Sequence, residues 1–146
     1  MSIQTILKFD RNTWMQFIER DFQREIWCVL GFPIDNTNLI KVKKEIDGYI
    51  ERKQQCIIST VNLNFSDCAI KNQDFRSAVN NSDIGVIDGF PVFLVSRFLG
   101  LPINERTSGS VLINYLLRNK WEHNYKVYWY GSGPGIEKKA HEKKFT

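Results

Sequence analysis

Long apolar runs are missing from this 146-residue chain, and no stretch approaches the ~20 residues that a membrane-spanning helix needs. Cysteine and histidine are scarce. Cys28, Cys56 and Cys68 are odd in number, widely spaced and set among apolar neighbours. That argues against a disulfide framework or a zinc site and for reduced core cysteines in a cytosolic protein. His123 and His141 have no cysteine or carboxylate at ligand spacing, so no metal site is expected through them. Met1-Ser2-Ile3-Gln4-Thr5 lacks a basic start before an apolar block, so no secretory signal is expected. RNP, zinc-finger and helix-turn-helix signatures are absent, and nucleic acid ranks low as a partner despite a net charge of +4.

What remains is an ordinary globular composition, 42% hydrophobic and 25% charged, long enough for one domain with a real core. Basic residues gather at Lys41, Lys43 and Lys44, and again at Lys138, Lys139, Lys143 and Lys144. Each group reads either as a solvated helix face or as a patch for anionic lipid, phosphate or nucleic acid.

Strand and helix patterns alternate along the chain. Residues 12–24 are a candidate amphipathic helix, with Trp14, Phe17, Ile18 and Phe22 at three- and four-residue spacings. A short apolar piece at 29–32 ends at Pro33. The helix-start cluster Asp35-Asn36-Thr37-Asn38 follows, and then a helical repeat of Leu39, Val42, Ile46, Tyr49 and Ile50. Residues 56–61 read as a buried strand, 67–80 as one helix closed by Asn80-Asn81, and 84–87 as a second buried strand. A helix over 91–99 ends at Gly100 and Pro102, and Ser108 or Ser110 can cap another running to about 119. Residues 127–130 look like a last strand, followed by Gly131-Ser132-Gly133-Pro134-Gly135 and a basic helix. Strands separated by single helices imply right-handed crossovers. The expected fold is α/β and Rossmann-like, with a mainly parallel sheet covered by helices on both faces.

Three strand ends then share one edge, which is where such sheets bind ligands. The first offers Thr60 and Asn62, the second Asp88 and Gly89, the third the glycine-rich turn. Asp88 reads either as a helix N-cap or as a working carboxylate. Gly89 removes a side chain that would block approach to the backbone, and Pro91 suits a first helical turn. Thr60 and Asn62 either line a site or merely satisfy loop backbone. Gly131 and Gly133 open a turn of the anion-binding kind, but Gly-x-Gly-Pro-Gly is not the dinucleotide fingerprint.

The ordered set is more specific than any single motif. Val29-Leu30-Gly31-Phe32-Pro33-Ile34-Asp35, Ser59-Thr60-Val61-Asn62, residues 83–92, Glu105-Arg106-Thr107-Ser108-Gly109-Ser110 and Tyr130-Gly131-Ser132-Gly133-Pro134-Gly135 follow one another at suitable gaps. Together they resemble the WecG/TagA/CpsF family, glycosyltransferase family 26. The resemblance runs from about residue 29 to 144, leaving 1–28 as an N-terminal helical extension. It implies transfer of an N-acetylmannosamine-type or related sugar from a UDP donor to a polyprenyl-diphosphate-linked sugar, in teichoic acid, common antigen or exopolysaccharide synthesis. It also implies Asp88 as general base, Thr60 and Asn62 in the donor pocket, and Arg106 near the diphosphate. Gly89, Gly131 and Gly133 would complete the substrate site. Arg106 has a plainer reading as a surface ion pair with Glu105 or Asp88.

No Asp-x-Asp pair occurs, so a metal-independent reaction is expected; the resemblance implies that it inverts configuration and needs no cofactor. The family continues past the glycine-rich loop with further α/β units and a membrane-docking appendage, so the resemblance implies that its C-terminal part is missing here. A cytoplasmic location peripheral to the inner face of the membrane follows, with homo-oligomer formation left open. Two other readings stand beside it. One is a degenerate, non-catalytic UDP-sugar-binding domain, the other an unrelated Rossmann-like nucleotide-binding module.

Overall fold

The computed structural model describes residues 24–118 and, beyond them, residues 126, 128, 130, 131 and 133. The chain divides into two compact units, residues 1–114 and 115–146, and the elements below belong to the first, apart from the end of the last helix.

β1 (Ile26–Val29) and β2 (Phe32–Asp35) form an antiparallel hairpin, with Trp27 opposite Ile34 and Val29 opposite Phe32. Leu30 and Gly31 join them, both left-handed at φ 52° and 83°. Two positive φ values in a two-residue loop are the requirement of a type I′ turn, whose twist matches that of the strands. The sequence reading took 29–32 as one apolar piece in a mainly parallel sheet. The α/β, Rossmann-like reading stands, but a two-residue link can only join antiparallel neighbours.

β3 (Ile58–Val61) and β4 (Ile84–Ile87) are the parallel pair, with Thr60 opposite Val86 and Val61 opposite Ile87. All four residues of β4 are buried, as expected of a strand covered on both faces. α1 (Leu39–Glu51) starts where the Asn38 side chain accepts the Lys41 N–H at 2.9 Å, and it buries Val42 and Tyr49. Lys43 pairs with Asp47 one turn on, so the three lysines of this helix are not a single free patch.

The helix expected over 67–80 is two helices. α2 (Leu63–Lys71) begins at Asn62 and α3 (Gln73–Asn80) at Asn72. Asn72 is extended (φ −139°, ψ 107°), and its side chain accepts the Phe75 N–H at 2.9 Å. Asparagine competes for backbone donors in this way and so divides helices. Phe65 and Phe75 then meet edge to face at 5.3 Å and hold the two together. α4 (Phe90–Phe98) follows β4 and closes at Gly100 (φ 69°), where the Leu101 N–H reaches Ser96 O. α5 (Gly109–Arg118) is capped by Ser108, whose hydroxyl accepts from Val111 N at 3.3 Å.

Val29, Phe32, Ile34, Val61, Ala69, Val79, Ile87, Val92 and Ile103 pack into one core. Asp35 crosses it as a buried carboxylate. It takes two bonds from Arg24 and one from the Gly85 N–H, all at 2.8 Å. A buried charge is tolerated when its lone pairs are filled in this manner. Sequence reading placed Asp35 in a helix-start loop, but it ends β2, and Asn38 is the cap. Cys28 is exposed on the edge strand, against its reading as a core cysteine; Cys56 and Cys68 are half-buried. The helix over 12–24, the basic groups near the C-terminus and both histidines lie outside the described residues, Arg24 excepted. Of the expected strand at 127–130, only Tyr128 and Tyr130 are described; both are exposed and neither is in a strand.

Candidate functional site

Parallel pairing of β3 and β4 puts their carboxyl ends side by side. β3 leaves through Asn62 straight into α2, and β4 leaves through Asp88 and Gly89 into α4. A strand that enters a helix through so short a link leaves the helix N-terminus at the strand's end. First-turn N–H groups lacking intrahelical partners then face whatever binds there. The start of α5 joins them. A Cβ placed on Gly109 would lie 3.2 Å from Thr60 Oγ1 and 3.6 Å from Asp88 Oδ2. Thr60, Asp88 and Gly109 therefore surround one point.

Asp88 is half-buried. Its backbone N–H donates to Val61 O at 2.8 Å and ties the two strand ends together. It is not a cap: the N-cap of α4 is Gly89, at φ 131°, with no side-chain cap bond. Among the described residues the Asp88 carboxylate has no hydrogen-bond or ion-pair partner. A carboxylate held at a strand end and left unused by the fold is of the kind that can serve as a base.

Gly89 sits at φ 131°, a backbone conformation that favours glycine. Its backbone is left-handed, and a Cβ there would stand 3.4 Å from Asn62 Cβ. Asn62 itself is occupied. Its Oδ1 accepts from Asn64 N at 3.0 Å and Phe65 N at 3.3 Å, so it caps α2, which supports the backbone-satisfying reading. Its amide nitrogen stays free to donate among the described residues.

Arg106 lies in the loop before α5 and is exposed. The ion pair weighed for it, with Glu105 or Asp88, is not formed; the Glu105 carboxylate accepts from Leu39 N at 3.4 Å instead. Its guanidinium is unpartnered among the described residues. Gly131 and Gly133, both exposed, are the described residues of their turn, and they belong to the second unit. Two residues of the 105–110 motif escaped the residue-level reading. Thr107 is 2% exposed with an unbonded hydroxyl, and Gly109 sits against Thr60. The only signal for either was membership of the motif.

A cleft of about 360 Å³ opens elsewhere, at the amino end of β4, among Asp35, Lys41, Glu45, Tyr49 and Asp83. Arg24 and Tyr49 already bond the carboxylates of Asp35 and Asp83 there. At the other end of the strands the Asp88 carboxylate carries no such bond among the described residues.

Residues 27–144 match the glycosyl transferase WecG/TagA/CpsF family. Two curated relatives are each described as N-acetylglucosaminyldiphosphoundecaprenol N-acetyl-beta-D-mannosaminyltransferase. The Bacillus subtilis protein is 27% identical over 109 residues, which cover 74% of this chain and 43% of the relative. The Bacillus spizizenii protein is 25% identical over 88 residues, 60% of this chain and 34% of the relative. The chain thus spans less than half the length of the relatives it matches. It belongs to the WecG/TagA/CpsF family of glycosyltransferases, which removes the reading as an unrelated nucleotide-binding module.

Proposed function

We propose that this chain carries the acid–base half of a site that moves an N-acetylmannosamine-type sugar from a UDP donor to a polyprenyl-diphosphate-linked sugar. The observation that carries the reading is the unpartnered Asp88 carboxylate at the carboxyl end of β4, beside Thr60 and the start of α5. The names of the relatives support an acceptor of this kind.

Asp88 takes the proton from an acceptor hydroxyl as its oxygen attacks the anomeric carbon. The bond from that carbon to the UDP oxygen breaks on the opposite face, so the configuration inverts. Negative charge grows on the departing diphosphate, and Arg106 is the group assigned to meet it with paired N–H donors. The sequence has no Asp-x-Asp pair, and the reaction we assign needs no metal. Thr60 and the free amide of Asn62 hydrogen-bond the donor sugar, and Gly89 lets the sugar approach the backbone.

Among the described residues no helix is long and apolar enough to cross a membrane. A lipid-linked acceptor brings the reaction to a membrane surface, and we place the protein peripherally at its inner, cytoplasmic face.

Titration with UDP, followed by turnover with UDP-N-acetylmannosamine and a polyprenyl-diphosphate-linked N-acetylglucosamine, tests the proposal. Binding without turnover would make the chain a UDP-sugar-binding domain, and no binding would end the reading. Replacing Arg106 by Ala is expected to weaken UDP binding by roughly 1–3 kcal/mol, the scale of a hydrogen bond to a charged group. Equal UDP affinities for the two proteins in calorimetric titration would return Arg106 to the solvated surface.

A further inference from the structure

Gly109 begins α5 directly after the Ser108 cap. Its φ lies outside the left-handed region that Gly31, Gly89, Gly100 and Gly131 occupy. Backbone conformation therefore makes no demand for glycine here, and alanine would be the better helix former. The reason for the missing side chain has to be space.

The space is bounded by two candidate site residues. A Cβ on Gly109 would meet Thr60 Oγ1 at 3.2 Å, Thr60 Cγ2 at 3.3 Å and Asp88 Oδ2 at 3.6 Å. Thr60 cannot turn both branches away, because a β-branched side chain is stiff at χ1. The carboxylate contact bears on chemistry. A methyl group there would share the room that a hydroxyl needs to reach Oδ2 at about 2.7 Å.

We infer that Gly109 is a positioning residue for sugar transfer. Its missing side chain keeps Thr60 in place and leaves the Oδ2 side of Asp88 open to the acceptor hydroxyl. This rests on the assignment of Asp88 as the base. The competing role is packing alone, with glycine needed only to bring α5 close to β3. Packing predicts that alanine lowers stability and ligand binding together, with no selective effect on turnover.

The test uses the full chain as Gly109→Ala, as Gly109→Val, and as Gly109→Ala combined with Thr60→Ser. Melting temperature, UDP affinity, kcat and KM are measured for each, with UDP-N-acetylmannosamine and a polyprenyl-diphosphate-linked N-acetylglucosamine. Gly109→Ala should leave melting temperature and UDP affinity near wild type while kcat falls by ~10-fold or more, since small misplacements near reacting groups have large effects. The valine variant should lose more. Thr60→Ser removes Cγ2, so it should cost less in the alanine background than in wild type, a non-additivity that packing far from the reaction would not produce. A wild-type kcat in Gly109→Ala, or strictly additive effects on kcat, overturns the inference while the Asp88 reading survives. Parallel loss of melting temperature and UDP binding in the alanine variant also overturns it. A wild-type chain without turnover removes both.

Discussion

Asp88→Asn should lose most sugar transfer, by ~10²–10⁴-fold, with UDP affinity and melting temperature close to wild type. The split follows from how the fold uses this residue. Its backbone N–H holds the strand ends together through Val61 O, and any residue at position 88 keeps that bond. Its side chain has no partner among the described residues and caps nothing, because Gly89 is the N-cap of α4. Asparagine preserves shape and removes only basicity. A capping aspartate would cost about 1 kcal/mol as Ala, so Asp88→Ala should also melt near the wild-type temperature. Rates for Asp88→Asn equal to wild type would show that another group takes the proton.

Gly85→Ala should give the largest loss of stability of any single-methyl addition in the described fold. A Cβ there would fall 2.0 Å from Pro33 O, a backbone atom that cannot swing away. The same residue donates its N–H to Asp35 at 2.8 Å, so pushing β4 from β2 also leaves a buried carboxylate short of a donor. Overpacking of a tight interior typically costs 1–3 kcal/mol, and a backbone clash belongs at about 3 or above. That corresponds to a fall of roughly 10 °C in melting temperature for a chain of this size. Unchanged melting of Gly85→Ala would mean that β2 and β4 can separate freely.

Local patterns carried much of the fold. β4 was legible because Ile84–Ile87 is apolar throughout and ends at Asp-Gly, and α4 because Pro91 opens it and Gly100 closes it. The hairpin was not, since its turn is Leu30-Gly31 rather than Asn-Gly, and a leucine at φ 52° leaves no local signal. The break at Asn72 was hidden inside a continuous apolar period that spans both α2 and α3. At the site, Thr60 and Asp88 could be placed because one lies at the end of a recognisable strand and the other just after one. Asn62 could not be separated from its capping role, which depends on where α2 begins. Asp35 and Gly109 were out of reach for a different reason: each is defined by partners far away in sequence, Gly85 for the one and Thr60 for the other.

The Asp35–Gly85 bond has a consequence for the order in which the chain assembles. Its two ends are fifty residues apart, while the hairpin that carries Asp35 closes over only two. The hairpin can form within microseconds, yet an isolated two-stranded ribbon is marginal in water. It gains a lasting hold only when β4 exists to receive it. On a ribosome adding ~5–20 residues per second, that wait lasts seconds, with the faces of β1 and β2 exposed throughout. Docking of the hairpin is then a late event, and its loss an early one in unfolding. Amide hydrogens of Gly85 and of the β1–β2 ladder should therefore exchange as one cooperative group, before those of β3. Protection of the hairpin that outlasts the protection of Gly85 would show that the ribbon stands without its anchor.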